Sequence, residues 1–357
     1  MGEELIKLYG CKTGNLLRNL KGNIYSDERL TEHQALLFTL YNRIFNDLYS
    51  DVIDFSSPVQ IKNVKKLFEF IEINITYLED STLNQIPFET VFCLQKALTE
   101  WSVTDGVEYI IVTTLRYNNY FFHGLLAFED NIYQFIEALF GIKFKYRLIQ
   151  ISIPNKDVND YFLNSVLYHE LGHFIDIKYR ITQRIIDSKY PGMSDDKIRE
   201  ERNHLGEYFA DIFAAQYSPL SIQNTLQFSA QDYPKSFSHP STSDRLNLID
   251  NFTKGSKNET IDLLNYSTNI TVKKKLEKRY TDIDYSDFYN LIPPIINNEI
   301  ELHGLFNALW DIWRNSRKEF DKMDDEIIYK VLNNLVEKSI GNYLVKEEWE
   351  AHAPAKR

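Results

Sequence analysis

Residues 166–177 read VLYHELGHFIDI, two histidines and a glutamate inside an otherwise apolar run. An unpaired imidazole or carboxylate is costly core material, so something must offset that cost. Val166, Leu167, Phe174, Ile175 and Ile177 predict a buried helix. His169 and His173 stand four residues apart on it, about one turn, and so share a face. Their ring nitrogens can meet one cation at about 2.0–2.1 Å, the range typical of zinc. Glu170 is rotated by roughly 100° from His169. It flanks such a cation rather than binding it, where a carboxylate can take a proton from an activated water. Gly172 puts no side chain beside the ligands, which leaves room for a substrate backbone.

Working outward, residues 107–114 and 146–153 are rich in β-branched side chains and 120–128 in aromatic ones, the pattern of a small sheet. Asp157 or Asn159 is placed to cap the helix that follows. Beyond the motif, residues 194–217 read as a second long helix containing EYFADIFAA, residues 207–215. Glu207 and Asp211 again share a face. Phe209, Ala210, Phe213 and Ala214 predict that this helix is largely buried, which disfavours idle acids. Glu207 can supply a third ligand, and Asp211 can accept the free ring N–H of a ligating histidine. Three protein ligands leave a position open, as a catalytic zinc ion (Zn2+) requires.

Composition bounds the rest. The chain has 357 residues, 43% hydrophobic, with 23 Tyr and 23 Phe, enough for a sizeable packed core. A formal net charge of -11 argues against nucleic acid as the main partner. The basic runs at 62–66 and 273–279 are predicted to be solvated helix faces. Cys11 and Cys93 are too few for a disulfide framework and are predicted to be small buried side chains. With no secretory pattern at residues 1–15 and no long apolar run, the expectation is a cytoplasmic protein without a membrane partner.

The N-terminal third reads as helical. Thr31 and Gln34 suggest a capping box, a second helix covers 64–77, and Pro87 starts a third. From Arg245 onward the chain again reads as helical, interrupted at Pro293 and Pro294, with 351–357 a frayed tail. These readings predict a mainly α-helical α+β protein in three regions: helical 1–104, a catalytic core at 105–253, and helical 254–357.

The pairing of HELGH with Glu207-Tyr-Phe-Ala-Asp211 resembles the gluzincin metallopeptidases. Within them it is similar to the ImmA/IrrE-type soluble proteases and to the CAAX-prenyl-protease-type family. The latter also carries a His-Pro followed by an Arg, and residues 238–246, SHPSTSDRL, are similar. The prenyl-protease group is embedded in the membrane, whereas nothing here spans one. The resemblance covers residues 146 to about 250 and implies a zincin-like core. It also implies a peptide bound extended along an edge strand, here near 148–153. Zinc-dependent hydrolysis of a protein or peptide substrate is the expected activity, with Glu170 as general base. His239 or Arg245 can donate to the oxyanion, while Arg245 can equally pair with Asp211 or Asp244. Two alternatives carry other expectations. A di-iron carboxylate site would use Glu170 and His173 with Glu201 and His204. A non-catalytic, metal-bearing interaction protein would leave Glu170 without a role.

Overall fold

The computed structural model describes residues 2–50, 52–82, 88–102, 107–190, 192, 194–320 and 323–352. Pro87, the boundary at 104–105, Pro191 and the end of the tail at 353–357 lie outside these residues. The fold is a mainly helical α+β arrangement with one small mixed sheet. Its residues group by packing into two compact units: 1–91 with 102–158, and 92–101 with 159–357. The sheet therefore belongs to the first unit and the HELGH segment to the second, a division unlike the three sequence regions.

In the first unit, α1 (Glu3–Asn19), α2 (Glu28–Leu48) and α3 (Pro58–Glu79) precede the start of α4 (Phe88–Ser102). Asp27 caps α2 by accepting from the Arg29 N–H, so Thr31, the expected cap, lies within the helix instead. Ser57 caps α3, whose first residue is Pro58. Leu37, Leu40 and Ile44 of α2 share one buried core with Leu67, Phe68 and Ile71 of α3, at the i, i+3/i+4 spacing of buried helix faces. Strand β1 (Glu108–Thr114) is followed by β2 (Phe121–His123), α5 (Leu125–Phe128), α6 (Asp130–Phe140) and β3 (Tyr146–Ser152). Only the start of the segment expected as one aromatic strand is extended. Strand order is β1-β3-β2, parallel on the β1 side and antiparallel on the β2 side. Ile110, Val112 and Leu148 join the core formed by α2 and α3.

This topology corrects one expectation. Strand β3 is central, not an edge. Gln150, Ile151 and Ser152 are paired with β1 on one side and β2 on the other, so their main chain has no room for an added peptide strand.

The second unit begins with residues 92–101 of α4. Helices α7 (Ser165–Tyr179), α8 (Ile181–Lys189), α9 (Asp195–Tyr217) and α10 (Pro219–Ala230) follow, then α11 (Thr242–Lys254), α12 (Glu259–Val272), α13 (Ser286–Tyr289), α14 (Glu299–Asp311) and α15 (Asp325–His352). Helix α7 starts at Ser165. Asp157 lies in a separate 3₁₀ turn, so neither it nor Asn159 caps the motif helix. Ile177 is 54% exposed, so the buried face of α7 stops at Asp176. Residues 273–285 are not the helical face expected for a basic run. Lys273 ends α12 in the left-handed region, and Arg279 is drawn inward: it pairs with Glu100, sits over Trp101, and bonds Gln216 through main chain and side chain. Of the two cysteines Cys93 is buried and Cys11 exposed. Among the described residues no helix is long and apolar enough to cross a membrane.

Helices α7 and α9 meet at Gly172. A Cβ on that residue would lie 2.8 Å from the Ala210 Cα and 3.0 Å from the Phe213 Cβ. The glycine faces the neighbouring helix, not a substrate, and its missing side chain permits the close approach. Ala210 presents backbone there, so a methyl group cannot be absorbed by a rotamer change. Gly172→Ala should therefore overpack the contact at a cost of about 1–3 kcal/mol, read as a lowered melting temperature by calorimetry. An unchanged melting temperature would mean that the helices are not held this tightly.

Candidate metal centre

The site grows from that helix pair. Leu171, Phe174 and Ile175 fix α7 in the core, and Phe209, Phe213 and Ala214 do the same for α9. His169 and His173 on one and Glu207 on the other then converge. The two Nε2 atoms are 3.0 Å apart, and each lies 3.5 Å from a Glu207 oxygen. Among the described residues this is the only cluster of three or more His, Cys, Asp or Glu whose potential ligand atoms all lie within 4.8 Å of one another. Two imidazole nitrogens and one carboxylate are a donor set that could hold a metal ion.

Behind the triad runs a chain of buried charge. Asp211 is fully buried, with Oδ1 3.0 Å from His169 Nδ1. Arg245, from the start of α11, donates to Asp211 through Nε and Nη2, both at 2.7 Å, and Nη2 also lies 3.3 Å from Glu207. Of the roles weighed for Arg245, the geometry places it on the acids. Burial pushes the Asp211 carboxyl up, but the Arg245 charge outweighs it and leaves the carboxyl lowered. Burial likewise raises Glu207, yet His169, His173 and Arg245 together hold it well below the usual carboxylate range.

The two rings respond in opposite senses. Burial lowers His169, but the facing Asp211 and Glu207 carboxylates prevail and raise it to about 10. Burial and the neighbouring His169 charge push His173 down to about 4. The two Nε2 atoms face each other at 3.0 Å, so positive charge on His169 disfavours a second charge on His173.

Glu170 is half-buried beside this cluster, and among the described residues no hydrogen bond or ion pair engages its carboxylate. Burial raises its pKa to about 7. His239 stands on the segment between α10 and α11, with a largely exposed ring and Nε2 3.6 Å from Glu207 Oε1. Two α9 side chains hold that segment, an arrangement without a sequence signature: His204 bonds the Ser236 carbonyl at 2.7 Å and Asn203 donates to that of Phe237. His204 is thus committed elsewhere, and neither it nor Glu201 joins the metal-ligating cluster as a di-iron site would need. An open cleft of about 660 Å³ leads away from His173, Glu207 and His239. Its wall includes Arg180 and Arg202, which no motif marks.

Removing one partner from a buried pair strands the other charge. Arg245→Met should destabilise the protein by about 3–5 kcal/mol, measured by urea unfolding of the metal-free protein. A loss under about 1 kcal/mol would mean that water reaches Asp211.

Comparison with known proteins finds no matching family model, no matching curated protein and no matching solved structure.

Proposed function

We propose that the chain is a zinc-dependent peptidase of the gluzincin kind, with a zincin-like core acting on protein or peptide substrates. The observation that carries this reading is the convergence of His169, His173 and Glu207 beside Glu170, a glutamate unpaired among the described residues. His169 and His173 would bind through Nε2 and Glu207 through its carboxylate. Zinc, when bound, supplies a Lewis acid that polarises a carbonyl and makes water more acidic.

The protein's own groups do the rest. Asp211, 3.0 Å from His169 Nδ1, keeps the proton on that nitrogen and frees the Nε2 lone pair for ligation. Arg245 keeps Asp211 ionised and in place. Glu170 accepts a proton from the attacking water and returns it to the leaving amine; its burial favours that exchange near neutral pH. His239, exposed at the rim of the cluster, donates a hydrogen bond to the oxyanion that develops on the substrate carbonyl.

Elemental analysis of the purified protein should give one zinc per chain, and His173→Ala should drop that to near zero. Two irons with a charge-transfer band would sink the reading. In a second test, Glu170→Gln should keep full zinc occupancy and a native circular dichroism spectrum. It should lose about a thousandfold or more in peptide hydrolysis, since the base would be gone. Proteome-wide comparison of new termini in extracts treated with wild type or Glu170→Gln checks this without knowing the substrate. Equal activity in the two would leave a metal-bearing interaction protein as the better account.

A further inference from the structure

The cleft beside the ligand set carries a charge pattern with a chemical meaning. Its wall includes two guanidiniums, Arg180 and Arg202, and two carboxylates, Asp176 and Glu207. Both carboxylates are already engaged. Asp176 accepts from the Thr182 backbone N–H at 2.8 Å and from its hydroxyl at 2.7 Å. Glu207 faces His169, His173 and Arg245.

The guanidiniums are not engaged to the same degree. Arg180 has one distant partner, Asp187 at 4.0 Å, and Asp187 itself accepts from Gln183 at 2.7 Å. The Arg202 side chain has no hydrogen bond or ion pair among the described residues. Nearby Glu200 is taken by Lys235 at 3.0 Å. The cleft therefore offers a planar, bidentate donor with no protein partner among the described residues, on a wall shared with His173 and Glu207.

We infer that this cleft binds a carboxylate of the peptide substrate through Arg202, with Arg180 at its edge, and so selects which peptide is presented to the site. The inference rests on the peptidase reading above for the substrate class, not for the anion preference. The same carboxylate chemistry has two sources. An internal Asp or Glu side chain would make the protein an acid-directed endopeptidase, and a free C-terminus would make it an exopeptidase.

The test uses zinc-loaded protein and three randomised peptide sets, with cleavage read by mass spectrometry. One set is amidated and contains Glu, one is neutral with a free C-terminus, and one is neutral and amidated. One carboxylate-bearing set should be preferred about tenfold over the neutral amidated set, the worth of a hydrogen bond to a charged group. Which set wins names the source. Arg202→Ala should abolish the preference by raising KM with kcat nearly unchanged, and Arg202→Glu should turn it toward Lys-bearing peptides. Arg202 is exposed, so both variants should keep the wild-type melting temperature and zinc content. Equal cleavage of all three sets, or a preference that survives Arg202→Glu, would overturn the inference.

If zinc-loaded protein cleaves nothing, the peptidase reading fails and the cleft is judged by binding alone. Fluorescence anisotropy would then compare labelled Glu-containing and free-C-terminus peptides with a neutral amidated one, on wild type and Arg202→Glu. About tenfold tighter binding of a carboxylate-bearing peptide, lost in the variant, supports the inference. Equal binding overturns it.

Discussion

The site depends on one steric fact, the absence of a side chain at Gly172 where α7 crosses Ala210 of α9. Ligand atoms from two helices meet only if the backbones come close, and side chains at their contact normally hold helices about 8–10 Å apart. Here backbone meets a glycine, and the His169–His173 face is drawn up to Glu207. The surrounding Phe174, Phe209 and Phe213 make the approach rigid, because a close-packed interior resists displacement.

The same closeness creates an electrostatic difficulty that the sequence solves in layers. Glu207 and Asp211 are nearly or fully buried carboxylates one turn apart, a repulsive and poorly solvated pair by themselves. Arg245 bridges them, and His169 lies between Asp211 and Glu207. The remaining negative charge faces the two Nε2 atoms. A cation there would complete the neutralisation and, bound to the folded state alone, would add its binding free energy to stability. Arg245 thus supports the His169–His173–Glu207 set from behind, while Glu170 and His239 border it.

Local periodicity made much of this readable from the residues. The four-residue spacing of His169 with His173 and of Glu207 with Asp211 fixes a shared face whatever the tertiary fold, and the strands around 108–114 and 146–152 declared themselves by β-branched content. Properties set by distant partners were not readable. Gly172 looked like room for substrate because the sequence does not say which helix lies opposite. The edge implied for 148–153 fails because the aromatic 120–128 segment, legible as sheet, does not say which strand its residues 121–123 pair with. The 273–279 run looked like a solvated helix face because charge spacing does not reveal the buried Trp101 and Gln216 that hold Arg279. The basic wall of the cleft was invisible for a related reason: Arg180 and Arg202 are ordinary in sequence and acquire meaning only from the cleft they share.

Helix α9 has several duties. One stretch of it anchors the His239 segment through Asn203 and His204, presents Glu207, packs Ala210 on Gly172, and binds Arg245 through Asp211. These contacts fall on successive turns of a single rod, so they share one rotational phase. An insertion or deletion of one residue inside it would swing every later group by roughly 100° and dismantle anchor, ligand and counter-charge together. Length variation near residues 190–194, ahead of the rod, would leave that phase intact. Helix α9 therefore behaves as an indexed camshaft, free to be remounted at its end but intolerant of a single slipped tooth.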